Sequence, residues 1–286
     1  MSTAVEMPRT RTHADVDGER QMLRRAQLVT ERKATTFAFA CRLLPSDVRD
    51  DVYLLYLAFR TLDDLVDERG PDAAERVLAV AQWAADAARE ETPEVLVLES
   101  LARRHQLPRQ AVADFCAGMR QDLAAERFAT ERELDRYCFR VAGTVGILMA
   151  SLLGVRDEAE ARAAAAALGM AMQRTNILRD IDEDAAAGRV YISEEALERH
   201  GGSLKPGRRA ELMRAQIARA DELYEDGLAG IDYLRRGRGA IVLAAMLYRE
   251  ILREIERRGL GQWPGRAVVP SHRKLLTVIR ATLRNG

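Results

Sequence analysis

The sequence predicts an all-α protein that folds as one helical domain. No sustained alternation of β-branched residues marks a strand, whereas Ala, Leu, Arg and Glu dominate and apolar residues recur at spacings of three and four. No linker rich in Pro, Gly or Ser separates two halves of the chain. The 286 residues are enough to bury a large core.

Proline and glycine divide the chain into about ten predicted helices. The longest uninterrupted helical segments are 47–69, 158–187, 208–236 and 240–257. Residues 1–20 carry charges with no apolar segment behind them, so we expect a disordered or frayed tail there. A single domain is predicted to follow over residues 21–286.

Two further segments indicate close packing in the core. The uncharged stretch 141–155 contains Gly143, Gly146 and Gly154 and is shorter than the about 20 apolar residues that span a membrane. We therefore interpret it as a buried core helix. The alanine run at 163–167 predicts a helix surface that a neighbouring helix can approach closely.

Charge and cysteine content exclude several classes of function. The chain has 44 Lys and Arg against 44 Asp and Glu, so no overall field attracts nucleic acid. Cys41, Cys116 and Cys138 show neither CxxC nor Cys/His spacing, which argues against a disulfide framework and against a zinc site. We expect a cytoplasmic protein.

A first group of carboxylates lies well along a predicted helix. Tyr56, Arg60, Asp63 or Asp64, and Asp67 follow one another at spacings of three and four and so share one helix face. We call Asp63, Asp64 and Asp67 the first acidic cluster. Like charges at this spacing repel, so the pattern favours a site where a cation such as Mg²⁺ bridges them.

The alternative is an ordinary solvated helix end. Asp47 and Asp51 have the same spacing, and they follow Pro45 in a first helical turn, where the helix dipole favours negative charge. The first acidic cluster lies far from a helix start, so that explanation fails for it.

A second polar stripe occurs more than 100 residues later. Its side chains recur at three and four on a helix that is otherwise apolar, with Ile177, Leu178 and Ile181 between them. The members of the stripe and its neighbours are Gln173, Asn176, Arg179, Asp180, Glu183 and Asp184. We call Asn176, Asp180, Glu183 and Asp184 the second acidic cluster. Buried polar groups need partners, and two such stripes can face each other across a helical bundle.

The two clusters together predict a metal-dependent site for a phosphorylated ligand. Mg²⁺ prefers one or two carboxylates together with phosphate oxygens and water, and Mn²⁺ is an alternative metal. Arg60, Arg179 and Arg189 supply cations for diphosphate oxygens. Nucleotide-binding loops of the GxGxxG and Walker types are absent from the sequence. Apolar walls are expected from Phe37, Phe39, Leu62, Val141, Val145, Leu148 and Ile177.

With both clusters in view, the chain resembles the squalene/phytoene synthase family over nearly its whole length after about residue 28. The matching points are Thr36-Phe37, Leu43-Leu44-Pro45, Tyr56 and Arg60 before the first acidic cluster, Tyr137 to Gly146, Gln173 to Asp184, Gly188-Arg189-Val190-Tyr191, Tyr248, Arg266 and Lys274. Their order and spacing are specific, whereas a lone DDxxD pattern is not.

The resemblance implies an all-α isoprenoid synthase bundle with a central cavity between two aspartate-rich helices. It assigns metal binding to Asp63, Asp67, Asn176, Asp180, Glu183 and Asp184. It assigns catalysis to Asp63, Asp64, Asp67, Asp180, Asp184, Tyr137 and Tyr248. It assigns substrate binding to Lys33, Thr36, Phe37, Tyr56, Arg60, Val141, Gly143, Gln173, Arg179, Arg189, Tyr191 and Lys274.

The activity that the resemblance implies is head-to-head condensation of two prenyl diphosphates through a cyclopropylcarbinyl diphosphate. Two departures from the family pattern bear on the substrate. Ala34 replaces a serine hydroxyl found in some relatives, and Cys41 replaces a bulky phenylalanine found in some relatives that use C15 donors. The smaller Cys41 favours C20 substrates and phytoene as product, without NADPH.

Other functions stay open at this stage. They are a C15 synthase that makes squalene, dehydrosqualene or hydroxysqualene, a divergent terpene cyclase, and a non-catalytic assembly factor of the same fold. The assembly factors usually lack the aspartates that this chain retains. Prenyl substrates would bring the protein into peripheral contact with the inner membrane face, and the oligomeric state is not readable from the sequence.

Overall fold

The computed structural model describes residues 13–284, and within them it is built from fourteen α-helices without a β-strand. The helices are α1 His13–Lys33, α2 Thr35–Cys41, α3 Ser46–Asp67, α4 Ala73–Ala84, α5 Pro93–Ala102, α6 Arg109–Leu123, α7 Glu131–Cys138, α8 Thr144–Leu153, α9 Glu158–Arg179, α10 Ile181–Ala186, α11 Glu194–Arg199, α12 Ala210–Ala229, α13 Arg238–Arg257 and α14 Ser271–Arg284. A π-helical turn covers Phe139–Gly143, and a 3₁₀ turn covers Ile231–Tyr233. The predicted all-α class is confirmed.

The helix boundaries differ from the predicted ones by more than two residues in three places. α1 begins at His13, so residues 13–20 of the expected tail are helical, and the expectation for residues 1–12 lies outside the described residues. The predicted segment 158–187 is interrupted at Asp180, whose φ of −102° and ψ of 10° are not helical. The predicted segment 208–236 ends at Ala229, because Gly230 leads into the 3₁₀ turn.

α9 is the central helix of the fold, and α8, the π turn, α12 and α13 pack against it. Two large hydrophobic clusters form the core on either side. The first centres on α3, α4, α5 and α6, and the second centres on α7, α9, α12 and α13. Val141 and Ile241 contact both clusters.

Glycine allows the helices around α9 to approach at backbone distance. A Cβ atom on Gly146 would lie 2.2 Å from the carbonyl oxygen of Ala165, and one on Gly169 would lie 2.2 Å from that of Ala142. On the other side of α9, a Cβ on Gly230 would lie 2.2 Å from Ala164 Cβ. The alanine run at 163–167 therefore packs closely against α8 and against the end of α12, as the sequence predicted.

The stretch Glu131–Leu153, which comprises α7, the π turn and α8, is long and apolar enough to cross a membrane by length and composition. Its neighbours in the structure include α3, α6 and α9. Leu148 and Leu152 on it are fully buried. These contacts favour a core helix, the interpretation given to residues 141–155.

Candidate active site

The first acidic cluster lies on the last turns of α3, where basic side chains surround it. Arg60 Nη1 donates to Asp63 Oδ2 at 2.9 Å, and Arg60 Nη2 pairs with Asp64. Lys33 Nζ, at the end of α1, lies 3.5 Å from the other oxygen of Asp64. The predicted phosphate-binding cations thus lie beside the predicted metal ligands.

Asp63 has a strongly shifted proton affinity. Burial, and to a lesser extent the charge of Asp67, raise the pKa of Asp63 to about 7, although the Arg60 guanidinium lowers it. The Asp63 side chain nevertheless retains 39% of its accessible surface. A carboxylate that faces a cleft has many protein atoms around it, which raises its pKa, and still keeps part of its surface accessible to water.

The second acidic cluster lies at the junction of α9 and α10. Arg179 Nε donates to Asp180 Oδ1 at 2.8 Å, and Arg266 Nε lies 3.1 Å from the same oxygen. Asn176 Nδ2 donates to Gln173 Oε1 at 3.3 Å, whereas Asn176 Oδ1 is buried without a hydrogen-bond partner. The helix is interrupted at Asp180, and the carboxylate of this residue contacts Arg266 in the C-terminal part of the chain.

Arg189 connects the two acidic clusters. Its Nη1 donates to Asp67 Oδ1 at 3.0 Å, and its Nη2 lies 3.7 Å from Asp184 Oδ1. Gly188, with a φ of +77°, makes the turn that precedes it. A single guanidinium can reach both carboxylates only when the clusters face each other across a narrow gap. The predicted opposition of the two helices is therefore present in the structure.

Asp184 is buried in this gap, and that burial raises the pKa of its carboxyl group to about 6. The Arg189 guanidinium lowers this pKa, and the charges of Asp180, Asp67 and Glu183 raise it. A small cavity of about 10 Å³ adjoins Asp184, Arg189 and Tyr191.

Asp122 is a residue of the site that the sequence interpretation missed. Tyr137 Oη donates to its carboxylate at 2.9 Å, and Tyr191 Oη donates at 3.1 Å. Burial raises the pKa of Asp122 to about 6, although the hydrogen bonds from both tyrosines lower it. The sequence does hold a signal, because Asp122 continues the buried stripe of α6 that includes Phe115 and Met119.

Aromatic side chains lie on two sides of the acidic gap. Tyr137 and Tyr191 stack with ring centroids 5.4 Å apart, and Phe128 packs on Tyr137 at 4.9 Å. On α2 and α3, Phe37 and Tyr56 lie 5.2 Å apart.

Tyr248 on α13 is half-buried and lies close enough to Arg179 to raise the pKa of its guanidinium, which places it near the second acidic cluster. Thr36 is half-buried on α2. Val141 and Gly143 lie in the π turn. Lys274 is half-buried on α14 and, in the described part of the chain, makes no ion pair with either acidic cluster.

Several expected wall residues do not line an open cavity. Leu62 and Leu148 are at most 1% exposed and belong to the packed core, and Phe39 is 43% exposed at the surface, whereas Ile177 lines the small cavity beside Asp184. Phe37, Val141 and Val145 are half-buried, as a cavity wall requires. Cys41 is 1% exposed within the first hydrophobic cluster, and its expected effect on substrate length stays a prediction.

A larger cavity of about 290 Å³ lies between α1, α3 and α5. Leu57, Thr61 and Val97 are among its lining residues. None of the residues of the two acidic clusters lines it, so it is separate from the gap between them.

The residues of the gap fit a divalent cation and a diphosphate. The unpartnered side-chain oxygen of Asn176 would suit a cation, and anionic oxygens would accept hydrogen bonds from the buried, unpartnered Nε atoms of Arg60 and Arg189. Within residues 13–284 no three acidic side chains form a ready-made metal cage. That arrangement suits Mg²⁺, which takes part of its coordination from phosphate oxygens and water.

Comparison with solved structures agrees with the fold. A dehydrosqualene synthase in complex with a ligand superimposes with a TM-score of 0.85 at 23% identity, covering 94% of this chain and 98% of that one. A squalene synthase from Alicyclobacillus acidocaldarius gives a TM-score of 0.73 at 24% identity, covering 86% and 97%. The predicted isoprenoid synthase bundle is confirmed.

Comparison of sequences identifies the family. The phytoene synthase of Thermus thermophilus is 38% identical over 269 residues, which cover 89% of this chain and 90% of that protein. The 15-cis-phytoene synthase of Synechococcus elongatus is 35% identical over 283 residues, which cover 90% and 91%. The family model described as squalene/phytoene synthase matches residues 30–274. The chain, with its two acidic clusters facing each other through Arg189, therefore belongs to the squalene/phytoene synthase family.

Proposed function

We propose that this protein is a phytoene synthase that joins two molecules of geranylgeranyl diphosphate head to head. The observation that carries the proposal is the pair of opposed acidic clusters spanned by Arg189, because two diphosphates need two anion sites that face one reaction space. Sequence relatives named as phytoene synthases, 35–38% identical over most of the chain, support the C20 substrate and the C40 product.

Mg²⁺ is the metal we propose at both clusters. Asp63 and Asp67 would hold it on the α3 side, and Asn176, Asp180 and Asp184 would hold it on the other side, with Asp64 and Glu183 in support. When bound, the metal neutralises the negative charge that develops on a departing diphosphate. The unpartnered oxygen of Asn176 supports this assignment.

Arg60 and Lys33 would hold the first diphosphate, and Arg179 and Arg189 would hold the second. Their preorganised charge stabilises each leaving group as the allylic C–O bond breaks. The alkene of the second substrate attacks the resulting cation, and loss of a proton gives the cyclopropylcarbinyl diphosphate. The second C–O bond then breaks, the skeleton rearranges, and loss of another proton gives phytoene. Two diphosphates and two protons are released in total.

The aromatic side chains near Asp122 would exclude water from the cationic intermediates, since water would capture them as alcohols. Tyr137 and Tyr191 both direct their hydroxyl hydrogens at Asp122, so their oxygen lone pairs stay free to face a cation. Tyr248 would lie beside the diphosphate that Arg179 holds.

The test is the mass of the product from each prenyl diphosphate. Geranylgeranyl diphosphate with Mg²⁺ is expected to give a C40 hydrocarbon with or without NADPH. Farnesyl diphosphate in parallel incubations tests the C15 alternatives. A C30 product without any C40 product would overturn the proposed substrate.

We further propose that the enzyme is cytoplasmic and binds the membrane peripherally through α14. Leu275, Leu276 and Ile279 are 61%, 50% and 47% exposed, and no acidic residue occurs in the helix. The exposed Arg280 lies beside them. Apolar side chains flanked by basic ones are typical of helices that lie on anionic lipid.

Sedimentation with vesicles of phosphatidylglycerol and phosphatidylcholine tests this surface. The double substitution Leu276→Ser and Ile279→Ser is expected to abolish co-sedimentation. Leu78→Ser is the matched control, because Leu78 is 54% exposed on α4, which packs on α3, α5 and α6. Equal binding of both variants would exclude α14 as the contact.

A further inference from the structure

An ion pair between the buried Arg209 and the half-buried Asp182 lies beside the second acidic cluster. Arg209, 2% exposed, donates from Nη1 to Asp182 Oδ1 at 2.6 Å and from Nη2 to Asp182 Oδ2 at 2.8 Å. The same Nη1 donates to the carbonyl oxygen of Leu204 at 2.9 Å. The Arg209 guanidinium lowers the pKa of Asp182. Asp182 therefore faces away from the metal site, although its neighbours Asp180, Glu183 and Asp184 face it.

This pair also fixes an irregular segment from the far end of the chain, residues 259–270, which we call the strap. The backbone N–H of Gly265 donates to Asp182 Oδ2 at 2.9 Å. The N–H of Gly207 donates to the carbonyl oxygen of Gly261 at 3.1 Å. Gly261 has a φ of +79°, and a Cβ atom there would lie 2.5 Å from Arg209 Nε. The strap thus lies directly against the buried guanidinium.

The strap carries Arg266 to the second acidic cluster. Arg266 follows Gly265, and its Nε lies 3.1 Å from Asp180 Oδ1 while its Nη1 lies 3.9 Å from Glu183 Oε2. Its own carbonyl oxygen accepts a hydrogen bond from Arg258 Nη1 at 2.5 Å. A guanidinium on irregular backbone is held at one place only if that backbone is itself anchored.

We propose that Asp182 and Arg209 are positioning residues, which anchor the strap so that Arg266 adds its charge to the diphosphate site at Asp180. The inference rests on the proposed function, because it takes the anion at Asp180 to be a substrate diphosphate. Neither Asp182 nor Arg209 touches that anion. Both act through the amide of Gly265 and the side chain of Arg266.

A double-mutant cycle on binding of inorganic diphosphate tests the proposal. Titration calorimetry in the presence of Mg²⁺ compares the full-length protein with Asp182→Asn, Arg266→Ala and the double variant. We expect Asp182→Asn alone to weaken diphosphate binding about tenfold, the loss expected when one charge-assisted contact disappears. In the Arg266→Ala background the same change is expected to add less than about twofold.

The matched control is Glu94→Gln. The Glu94 carboxylate lies on α5, is 1% exposed and pairs with Arg76 outside the acidic gap. The substitution is expected to lower the thermal midpoint without changing diphosphate affinity. If circular dichroism shows that Asp182→Asn does not fold, Arg209→Lys takes its place in the cycle. Lysine keeps the positive charge but has a single nitrogen, so it loses the paired hydrogen bonds to both oxygens of Asp182.

Equal weakening in both backgrounds, or unchanged diphosphate affinity, overturns the proposal. Because the readout is binding of inorganic diphosphate, it does not depend on turnover. A protein that binds diphosphate as expected and forms no C40 product would refute the proposed function alone.

Discussion

At the residue scale, the carboxylates of the site are already paired with arginines. Arg60 contacts Asp63 and Asp64, and Arg189 contacts Asp67 and Asp184. If a divalent cation bound these carboxylate oxygens, as we propose, the guanidinium groups would become free to bind diphosphate oxygens. The arginines pair with the carboxylates of the gap in this structure, and under the proposal they would bind the substrate anion instead.

Asp63→Asn and Asp180→Asn should each abolish measurable phytoene formation, with a loss of at least about a hundredfold in kcat/KM, because each removes a charged ligand. The control is Asp47→Asn, since Asp47 shares the DxxxD spacing but is 60% exposed and paired with Arg236. That variant should retain turnover. Activity near the unmodified level in either of the first two variants, with Mg²⁺ present, would contradict the metal assignment.

Metal affinity should depend on pH through Asp63 and Asp184. Their pKa values are raised to about 7 and about 6, and a metal binds only the ionised carboxylates. The affinity for Mg²⁺ with diphosphate should therefore increase as pH rises from about 5 to about 8. The increase in the binding constant is at most about tenfold per pH unit for each proton that binding releases. Calorimetry in buffers of different ionisation enthalpy would measure that release.

The same shifts fix the sign of an effect on stability. A carboxyl group whose pKa rises on folding stabilises the protein below its usual pKa of 3.8 and loses that contribution as pH rises through about 7. The free energy of unfolding of metal-free protein should fall over this range, and Asp63→Asn should reduce the slope. An identical slope in that variant would show that Asp63 titrates normally.

At the element scale, periodicity predicted the positions of α3 and α13 to within two residues but missed the break at Asp180. No glycine or proline lies next to Asp180, and although aspartate is a weak helix former, Asp182 and Asp184 beside it are helical, so residue type alone does not mark the change in backbone angles. The break accompanies long-range contacts with Arg266 and Arg209, which lie far away in sequence. Asp122 was missed for a related reason, because its tyrosine partners come from α7 and from the segment after Gly188.

Close packing around α9 should make Gly146 and Gly169 intolerant of even one methyl group. Each would place a Cβ atom 2.2 Å from a backbone oxygen, so we expect Gly146→Ala to lower the free energy of unfolding by about 1–3 kcal/mol. Gly18→Ala on α1 is the control, since no atom lies within 4 Å of its added Cβ and helix propensity favours alanine. Chemical denaturation would measure both, and an unaffected Gly146→Ala would show that the helices can separate at no cost.

At the scale of the whole molecule, the prediction of a single domain over residues 21–286 awaits a test by unfolding. Val141 and Ile241 contact both large hydrophobic clusters, so the two halves of the core share side chains. We expect one cooperative transition, with equal calorimetric and van't Hoff enthalpies. Two resolved transitions would indicate that the clusters fold separately.

The overall bundle was predictable because helix periodicity and two widely separated polar stripes both depend on local sequence. Wall residues were less predictable, since Leu62 and Val145 are equally apolar in sequence and only packing makes one fully buried and the other half-buried.

The backbone contacts of Gly146, Gly169 and Gly230 have a consequence for protein engineering. The main chains of these helices are already in contact. Enlarging the cavity for a longer prenyl tail on the side of α8, α9 and α12 would therefore require whole helices to move. The half-buried Phe37 and Tyr56 on α2 and α3 have side chains that can be shortened without such movement. Variants designed to alter chain-length selectivity should therefore begin with that aromatic pair.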